Sequence, residues 1–559
     1  MKLIIKSTRL KYHSFVLIIS MVFIAMFGAL LAGMAVITGT NVQIASNQHK
    51  ANSALSAAQS ALECGRYIVA NTPLPSTSIN IVTVEQANNA WNTLCSQVQG
   101  QPWVAGQAIQ TENEIITPSI SFGQANTSFQ VKFYRSDVNT IRLEGIGCDG
   151  QIERCAGINM KITKDNEVLQ YASASRGRMW ITGDSTIHGD IYSAWNLSKS
   201  QLATLATNPS ALATMTAPNI SPFNLPSDSE ILGTINICWS KGQIEDKTWQ
   251  LETLDEHGEP MYDENGNKII SPEDEIQGYN EGINYGVPPE NMSGMSISDY
   301  DTTTYYNTTR AENGGGGDIT TSGTTRTEYF PHGINADGTN NYQKSVSGSV
   351  TLTRHVYTDQ TFDNVRLKAS DNALFQNCTF NGVLFVDCSG NVVTGVGTSK
   401  YNNIRFDNCT FNSTTVTNTP QTLNWQKNCL YYTGSATFQN ETSSEATILA
   451  PHFNVNLGNT NPVAGTENVL RGAIVGGIVD VRGNAEVFGT IISMADTSMY
   501  TSGYVTNIGA TLDDGGSETV AIGDVGVINI TPDSDKMLPN GITSPIVIKP
   551  LQNTYCENL

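Results

Sequence analysis

The chain is 559 residues long, with 51 acidic against 31 basic residues and a net charge of −20. That balance excludes a nucleic-acid partner, because nothing basic would neutralise phosphates, and it sets the bulk of the chain apart from anionic lipid. The length allows about two to four domains, and abundant Gly, Asn, Thr and Val predict a mainly β, extracytoplasmic protein with many turns.

Residues Phe15 to Ile37, FVLIISMVFIAMFGALLAGMAVI, form a run of 23 residues with no charge and no proline. As a helix rising about 1.5 Å per residue, the run reaches roughly 35 Å, enough for a hydrocarbon core of about 30 Å. Lys2, Lys6, Arg9 and Lys11 precede it without any acidic residue. The positive-inside rule then places the N-terminus in the cytoplasm and the bulk beyond a bacterial cytoplasmic membrane, periplasmic or at the cell surface. A cleaved signal peptide is the competing reading; its apolar core ordinarily spans about 7–15 residues, and Ala32 to Ala35 is a weak cleavage candidate.

Helical spacing continues past the apolar run. Ala51, Ala54, Leu55, Ala58, Ala61 and Leu62 make one stripe of mostly small residues, on which a partner can approach closely. Gly65 is the expected break. SFVLIISMVFIAMFGALLAGMAV followed by SALSAAQSALECG resembles the N-terminal segment of PilX-like pilus-assembly proteins, over about the first 70 residues. The resemblance implies type IV pilin-like architecture and association with other pilin-like or envelope proteins through the Ala51–Leu62 stripe. Two positions depart from the prepilin pattern: Ser14 stands where Gly precedes the mature Phe, and Ile19 where Glu is the fifth mature residue.

Residues 127–163 read as an antiparallel meander with a turn at Asp149-Gly150, and EGIGCDGQIERCAGI resembles the strand–turn–strand that closes pilin-like heads. Cys148 and Cys155 flank that turn; a hairpin disulfide and two buried thiols are both open.

Residues 181–193, ITGDSTIHGDIYS, match residues 481–493, VRGNAEVFGTIIS, in a pattern with two glycines six residues apart. Such glycines suit tight corners between short strands, as in bactofilin-like solenoids. Between them, Phe362 to Val365, Phe385 to Cys388 and Phe406 to Cys409 align, and Trp425 to Cys429 follows with one inserted residue; the last positions step by 23, 21 and 20 residues. That period predicts a parallel β-helix, and the segment resembles right-handed helices of the pectate-lyase-like type. Cys388, Cys409 and Cys429 are expected in one column of core thiols, with the preceding Asn and Asp at hydrogen-bonded corners. Phe375 to Phe380 is expected as a further strand within one coil.

From 245 to 301, fifteen carboxylates face only Lys247 and Lys268. This predicts a loosely ordered surface insertion, with Asn265-Gly266 as a turn. Asp263, Asn265 and Asn267 have alternate-ligand spacing for calcium, but Lys268 stands where an EF-hand loop needs Gly, so a solvated loop is preferred. No histidine pairs with another His or Cys at metal-ligand spacing. A polysaccharide lyase or hydrolase would draw on Asp363, Asp387, Asp407, Arg366 and Arg405, with Asp363 and Asp407 at equivalent coil positions; polar corners account for the same residues. Cys556 is placed to tie down the tail, its partner open.

The expected organisation is therefore a transmembrane helix with its extension over 1–72, a pilin-like α/β region over 73–165, and the start of a solenoid over 166–240. An acidic insertion over 241–345, a β-helix over 346–500 and C-terminal strands over 501–559 follow. The expected role is a membrane-anchored structural protein of pilus assembly or the cell surface, and not an enzyme. A membrane-tethered carbohydrate-active β-helix and an adhesin are the alternatives. No residue is assigned a catalytic, cofactor-binding or metal-binding role.

Overall fold

The computed structural model describes residues 9–121, 126–181, 185–195, 223–224, 230–238, 262, 264–266, 282–287, 292, 294–336, 340–392, 399–421, 424, 427–434, 436–438, 448–458, 468–482, 485–494, 505–508, 528–532 and 539–558. The fold is mainly β with one long apolar N-terminal helix. It divides into two compact units, one built from residues up to 74, 83–163 and 547 onward, the other from 75–82 and 164–546.

In the first unit the helix Arg9–Ala70 is unbroken over 62 residues. It ends where Pro73 and Pro75 deny the next turn its donors. The expected break at Gly65 is not there. A Cβ on Gly65 would lie 2.4 Å from Leu143 Cδ1, so this glycine serves close packing and not chain reversal. A second helix, Val84–Gln99, starts at a capping box of Thr83 and Gln86 and buries Ala87, Ala90, Trp91, Leu94, Cys95 and Val98. The meander is present as Thr127–Asp137, Thr140–Asp149 and Ile152–Lys164, all antiparallel, and Gly150 takes the left-handed turn conformation at φ +65°. C-terminal strands Ser544–Pro550 and Cys556–Asn558 return to pair with Ile152–Lys164.

The hairpin disulfide is not formed. Register places Cys148 opposite Glu153 and Cys155 opposite Ile146, so the two thiols are diagonal neighbours, and both are free. Diagonal Cα atoms in an antiparallel pair sit about 7–8 Å apart, beyond ordinary disulfide reach.

The second unit is a stack of parallel strand pairs in two columns. In one, Tyr357, Phe375, Phe406 and Tyr432 lie in register, with ring centroids 4.8, 5.5 and 4.9 Å apart. In the other, Phe362, Phe380, Phe411 and Phe438 stack at 5.3, 5.2 and 5.0 Å. These registers correct the expected alignment. The true repeat is Phe375-Gln-Asn-Cys-Thr-Phe380 over Phe406-Asp-Asn-Cys-Thr-Phe411, so Cys378 and Cys409 share a column, while Cys429 pairs with Asn403 and Asn454 and Cys388 lies elsewhere. Loops of unequal length between levels spoil any fixed period. Of the corners expected before Cys388, Cys409 and Cys429, only Asn408 takes the left-handed conformation, at φ +53°. The residues that share its corner are Asn377 and Asp359, at +51° and +53°, and Asn377 Nδ2 donates to Asp359 Oδ1 at 3.2 Å.

The matching segments at 181 and 481 belong to one ladder. Ile528–Thr531 pairs with Ala485 to Phe488 on one side and with Ser185 to Ile187 on the other. Tyr171–Ser175 lies likewise between Ile491 to Ser493 and Ile191 to Ser193. The chain thus enters the stack in its middle and runs out to Ile283–Tyr285 at one end. It resumes at Gly317–Asp318 beside Val365 and stacks back to the middle. Gly189 and Gly489 take positive φ, and a Cβ on Gly489 would lie 1.9 Å from Gly472 O. Side-chain-free corners are what this stack demands.

The stretch 241–345 is not a uniform insertion. Residues 294–336 include the helix Thr303–Thr308 and the strand Thr325–Ile334, and the strand Asn340–Thr358 runs across the expected boundary at 345. Most of the acidic run, including Asp263, Asn267 and Lys268, lies outside the described residues; the Asn265-Gly266 turn is present, with Gly266 at φ +78°.

Candidate functional site

Two regions concentrate functional chemistry. The first is the long helix, whose halves differ in environment. From Phe15 to Ile37 the large apolar side chains are exposed on all sides, Ile24 to 71 % and Leu31 to 64 %. Such a surface is unfavourable in water at about 25 cal/mol per Å² of apolar area and has the length of a bilayer core. From Ala54 to Leu62 the environment reverses: Ala54, Ala57, Ala58, Ala61 and Leu62 are buried. Their cover is the protein's own sheet. Gly145 and Gly147 on Thr140–Asp149 lie so near that a Cβ on either would meet Ala58 O at 2.0 Å or Ala54 O at 2.1 Å. The expectation that the Ala51–Leu62 stripe seats a partner is therefore overturned. Small residues on the helix meet glycines on the strand, and the close approach expected for another molecule is used within the first unit.

The second region is a buried charge cluster in the second unit. The hairpin Thr325–Ile334 and Asn340–Thr358 lies over the outer side of one column, burying Phe330 and Leu352 with Cys429, Tyr431 and Ile478. At its centre Glu328 accepts two hydrogen bonds from Arg405, at 3.1 Å from Nε and 2.9 Å from Nη2, and lies 3.0 Å from Arg354 Nε. Arg405 also donates to Thr433 Oγ1 at 3.1 Å and stacks 3.8 Å over the Tyr342 ring. Arg354 donates to Ala373 O at 3.1 Å and to Asn403 Oδ1 at 2.6 Å. Burial pulls the Arg354 guanidinium down to about 10, with Glu328 opposing. Burial also works against Arg405, but the hydrogen bonds and charge of Glu328 hold its guanidinium above the ordinary value. All three side chains are shut off from solvent, so the cluster joins hairpin to ladder and offers no open face to a ligand.

The carboxylates and arginines that an enzyme would draw on are dispersed. Asp363 pairs with Asn381 at 2.7 Å on an exposed corner. Asp387 accepts from Ser389 and Asn418. Arg366 pairs with Asp318. Only Asp407 and Arg405 approach each other, at 3.5 Å. The expected equivalence of Asp363 and Asp407 fails, since Asp363 stacks with Asn381 and Asp407 with Gln376, in different columns. Among the described residues no group of three or more His, Cys, Asp or Glu side chains is placed to hold a metal. Glu328 and Arg354 carry no motif in the sequence; the alternation in TRTEYF and TLTRHV is the signal that places each on one face of its strand.

No protein-family model matches the chain, and no curated protein matches it. Among solved structures, the competence-associated pilin ComZ from Thermus thermophilus is similar at 11 % identity, covering 91 % of this chain and 97 % of that one, with a TM-score of 0.25. At that score the likeness carries no argument.

Proposed function

We propose that this chain is a membrane-anchored extracytoplasmic structural protein, related to pilus assembly of the type IV, PilX-like kind or to cell-surface architecture. The observation that carries the reading is the single helix Arg9–Ala70, apolar and uncovered over a bilayer's length and then seated on a folded sheet. The basic flank before it sets the cytoplasmic side. We read the two parallel columns as coils of a β-helix that presents its outer surface beyond the membrane. The stripe being occupied, any association with pilin-like partners falls to the uncovered part of the helix and to other surfaces. The role is non-enzymatic, a reading supported by the dispersal of Asp363, Asp387 and Arg366 and the burial of Arg405.

The test is fractionation of cells expressing the full chain, with protease added to spheroplasts. The chain is expected in membranes after an alkaline wash, with its bulk digested from outside. Ile24→Arg with Phe27→Arg, at about 2.5–3.5 kcal/mol of insertion free energy per arginine, is expected to release it. Retention of the double variant, or a mature N-terminus beyond Ile37, overturns the anchor. A mature start at Phe15 supports pilin-type processing, and an intact Met1 supports a permanent anchor.

A further inference from the structure

The face of the antiparallel sheet turned away from the long helix carries three thiols that the structural role does not use. Strand register decides how they relate. Cys556 lies opposite Gly157, and Cys155 lies two residues along the same strand, opposite Asn558. Side chains two apart on a strand share a face, so Cys155 and Cys556 are diagonal neighbours across an edge pair. Gly157 supplies the gap between them: a Cβ there would sit 2.8 Å from Arg142 Nη2 and 3.3 Å from Glu144 Cγ. Through that gap Arg142 crosses a whole strand and donates to Cys556 Sγ at 2.9 Å. Glu144 Oε1 at 2.6 Å and Asn159 Oδ1 at 3.1 Å hold the guanidinium in place.

We propose that Cys556 and Cys155 form a thiol–disulfide exchange site, in which Cys556, held by Arg142, attacks and Cys155 resolves. In the first step the Cys556 thiolate attacks an external disulfide; a Cys556 mixed disulfide forms and one external thiolate leaves. In the second, the Cys155 thiolate, its proton given to water, attacks Cys556 Sγ and expels the second external thiolate. Two protein thiols are oxidised, one external disulfide is reduced to two thiols, and the tail strand Cys556–Asn558 is tied to Ile152–Lys164.

The surroundings set Cys556 apart from the other two thiols. Cys556 is half-buried and has the Arg142 guanidinium 2.9 Å from its sulfur, a cation set beside an accessible thiol. Glu144 first and Cys556 second hold the Arg142 guanidinium above its ordinary value, as a fixed cation requires. Burial, then Glu144, pushes the Cys155 thiol up, which leaves it protonated until a mixed disulfide stands beside it. Cys148 is set as Cys155 is: burial, then Glu153, 3.9 Å from its sulfur, pushes its thiol up. The diagonal Cα spacing, about 7–8 Å here as for Cys148 and Cys155, closes only with backbone movement. Cys148 and Cys155 are fixed in a ladder of ten pairs, whereas the tail strand is held by three, so closure requires the tail to shift toward Cys155.

The full chain, purified reduced in detergent, is treated with oxidised glutathione, quenched with acid and mapped by non-reducing peptide mass spectrometry. This chemistry is read on purified protein, so its failure leaves the anchor reading standing. In the unaltered chain, the expected result is modification of Cys556 before Cys148 and Cys155, ending in a Cys155–Cys556 linked peptide. Cys155→Ser is expected to stop at glutathione on Cys556. Adding Arg142→Gln to it is expected to slow that adduct roughly fivefold or more while Cys148 labelling is unchanged. A Cys148–Cys155 linkage, or Cys148 reacting first, overturns the proposal. So does an adduct rate at Cys556 that ignores Arg142. The order of reaction in the unaltered chain decides the matter even if a variant misfolds.

Discussion

Gly147 faces the long helix with no room for a methyl group, since a Cβ would lie 2.1 Å from Ala54 O and 2.3 Å from Ala58 N. Both neighbours are helix backbone and cannot swing aside, so Gly147→Ala is expected to lower stability by about 3 kcal/mol or more, the upper end of overpacking. Gly150, three residues on, has open space but a φ of +65°. Gly150→Ala is therefore expected to cost only about 1–2 kcal/mol. Urea unfolding followed by tryptophan fluorescence compares the two, and the reverse order would remove the close-packing account. Lys164 is buried and donates to Thr77 O and, at 3.1 Å, to Ile79 O. Desolvation lowers its ammonium from 10.5 to about 8. Between those values the unfolded chain holds a proton that the folded chain has given up, so stability rises with pH across that window. The rise is expected to vanish in Lys164→Met; identical slopes in both proteins would refute the assignment.

Secondary-structure elements here owe their places to what they bury. The hairpin Thr325–Ile334 and Asn340–Thr358 has Glu328 and Arg354 on its inner side, where an apolar pair would ordinarily be expected. Removing one member of a buried ion cluster strands the others, so Glu328→Gln is expected to cost about 3–5 kcal/mol. It should also expose the hairpin to limited proteolysis. Replacing all three charges together, by Glu328→Leu, Arg354→Met and Arg405→Met, is expected to restore most of that loss. Equal protease resistance in Glu328→Gln and the parent would show that the cluster does not hold the hairpin. The hairpin was not legible in sequence because charge ordinarily marks a solvated side, and here it marks the buried one. The long helix was legible from end to end except at Gly65, where a residue that disfavours helices is retained for contact with Leu143.

At the scale of the molecule, the second unit closes its stack with a level made from its two chain ends. Ile530 lies between Val487 and Ile187, fully buried. Ile530→Ala is expected to cost about 2–5 kcal/mol. Amide hydrogen exchange should quicken both at 185–187 and at 485–488, segments 300 residues apart. Faster exchange in only one of them would mean that the level does not join them. The matching segments were visible in sequence because a shared corner demands the same glycine in both. Their separation in the stack was not, because Tyr171–Ser175 and Ile528–Thr531, which lie between them, resemble neither.

By itself the sequence determined the apolar helix, the meander, the mainly β class and the glycine and asparagine corners, because each rests on short-range properties: hydropathy, alternation and permitted φ. The tertiary structure alone decided that the Ala54–Leu62 stripe is covered from within and which cysteines share a column. It likewise decided that Glu328 sits between two arginines and that the chain enters its own stack in the middle. Those are matters of register between strands far apart in the chain. A one-residue slip turns a side chain to the opposite face, and loops of unequal length hide the register from any periodic reading of the letters.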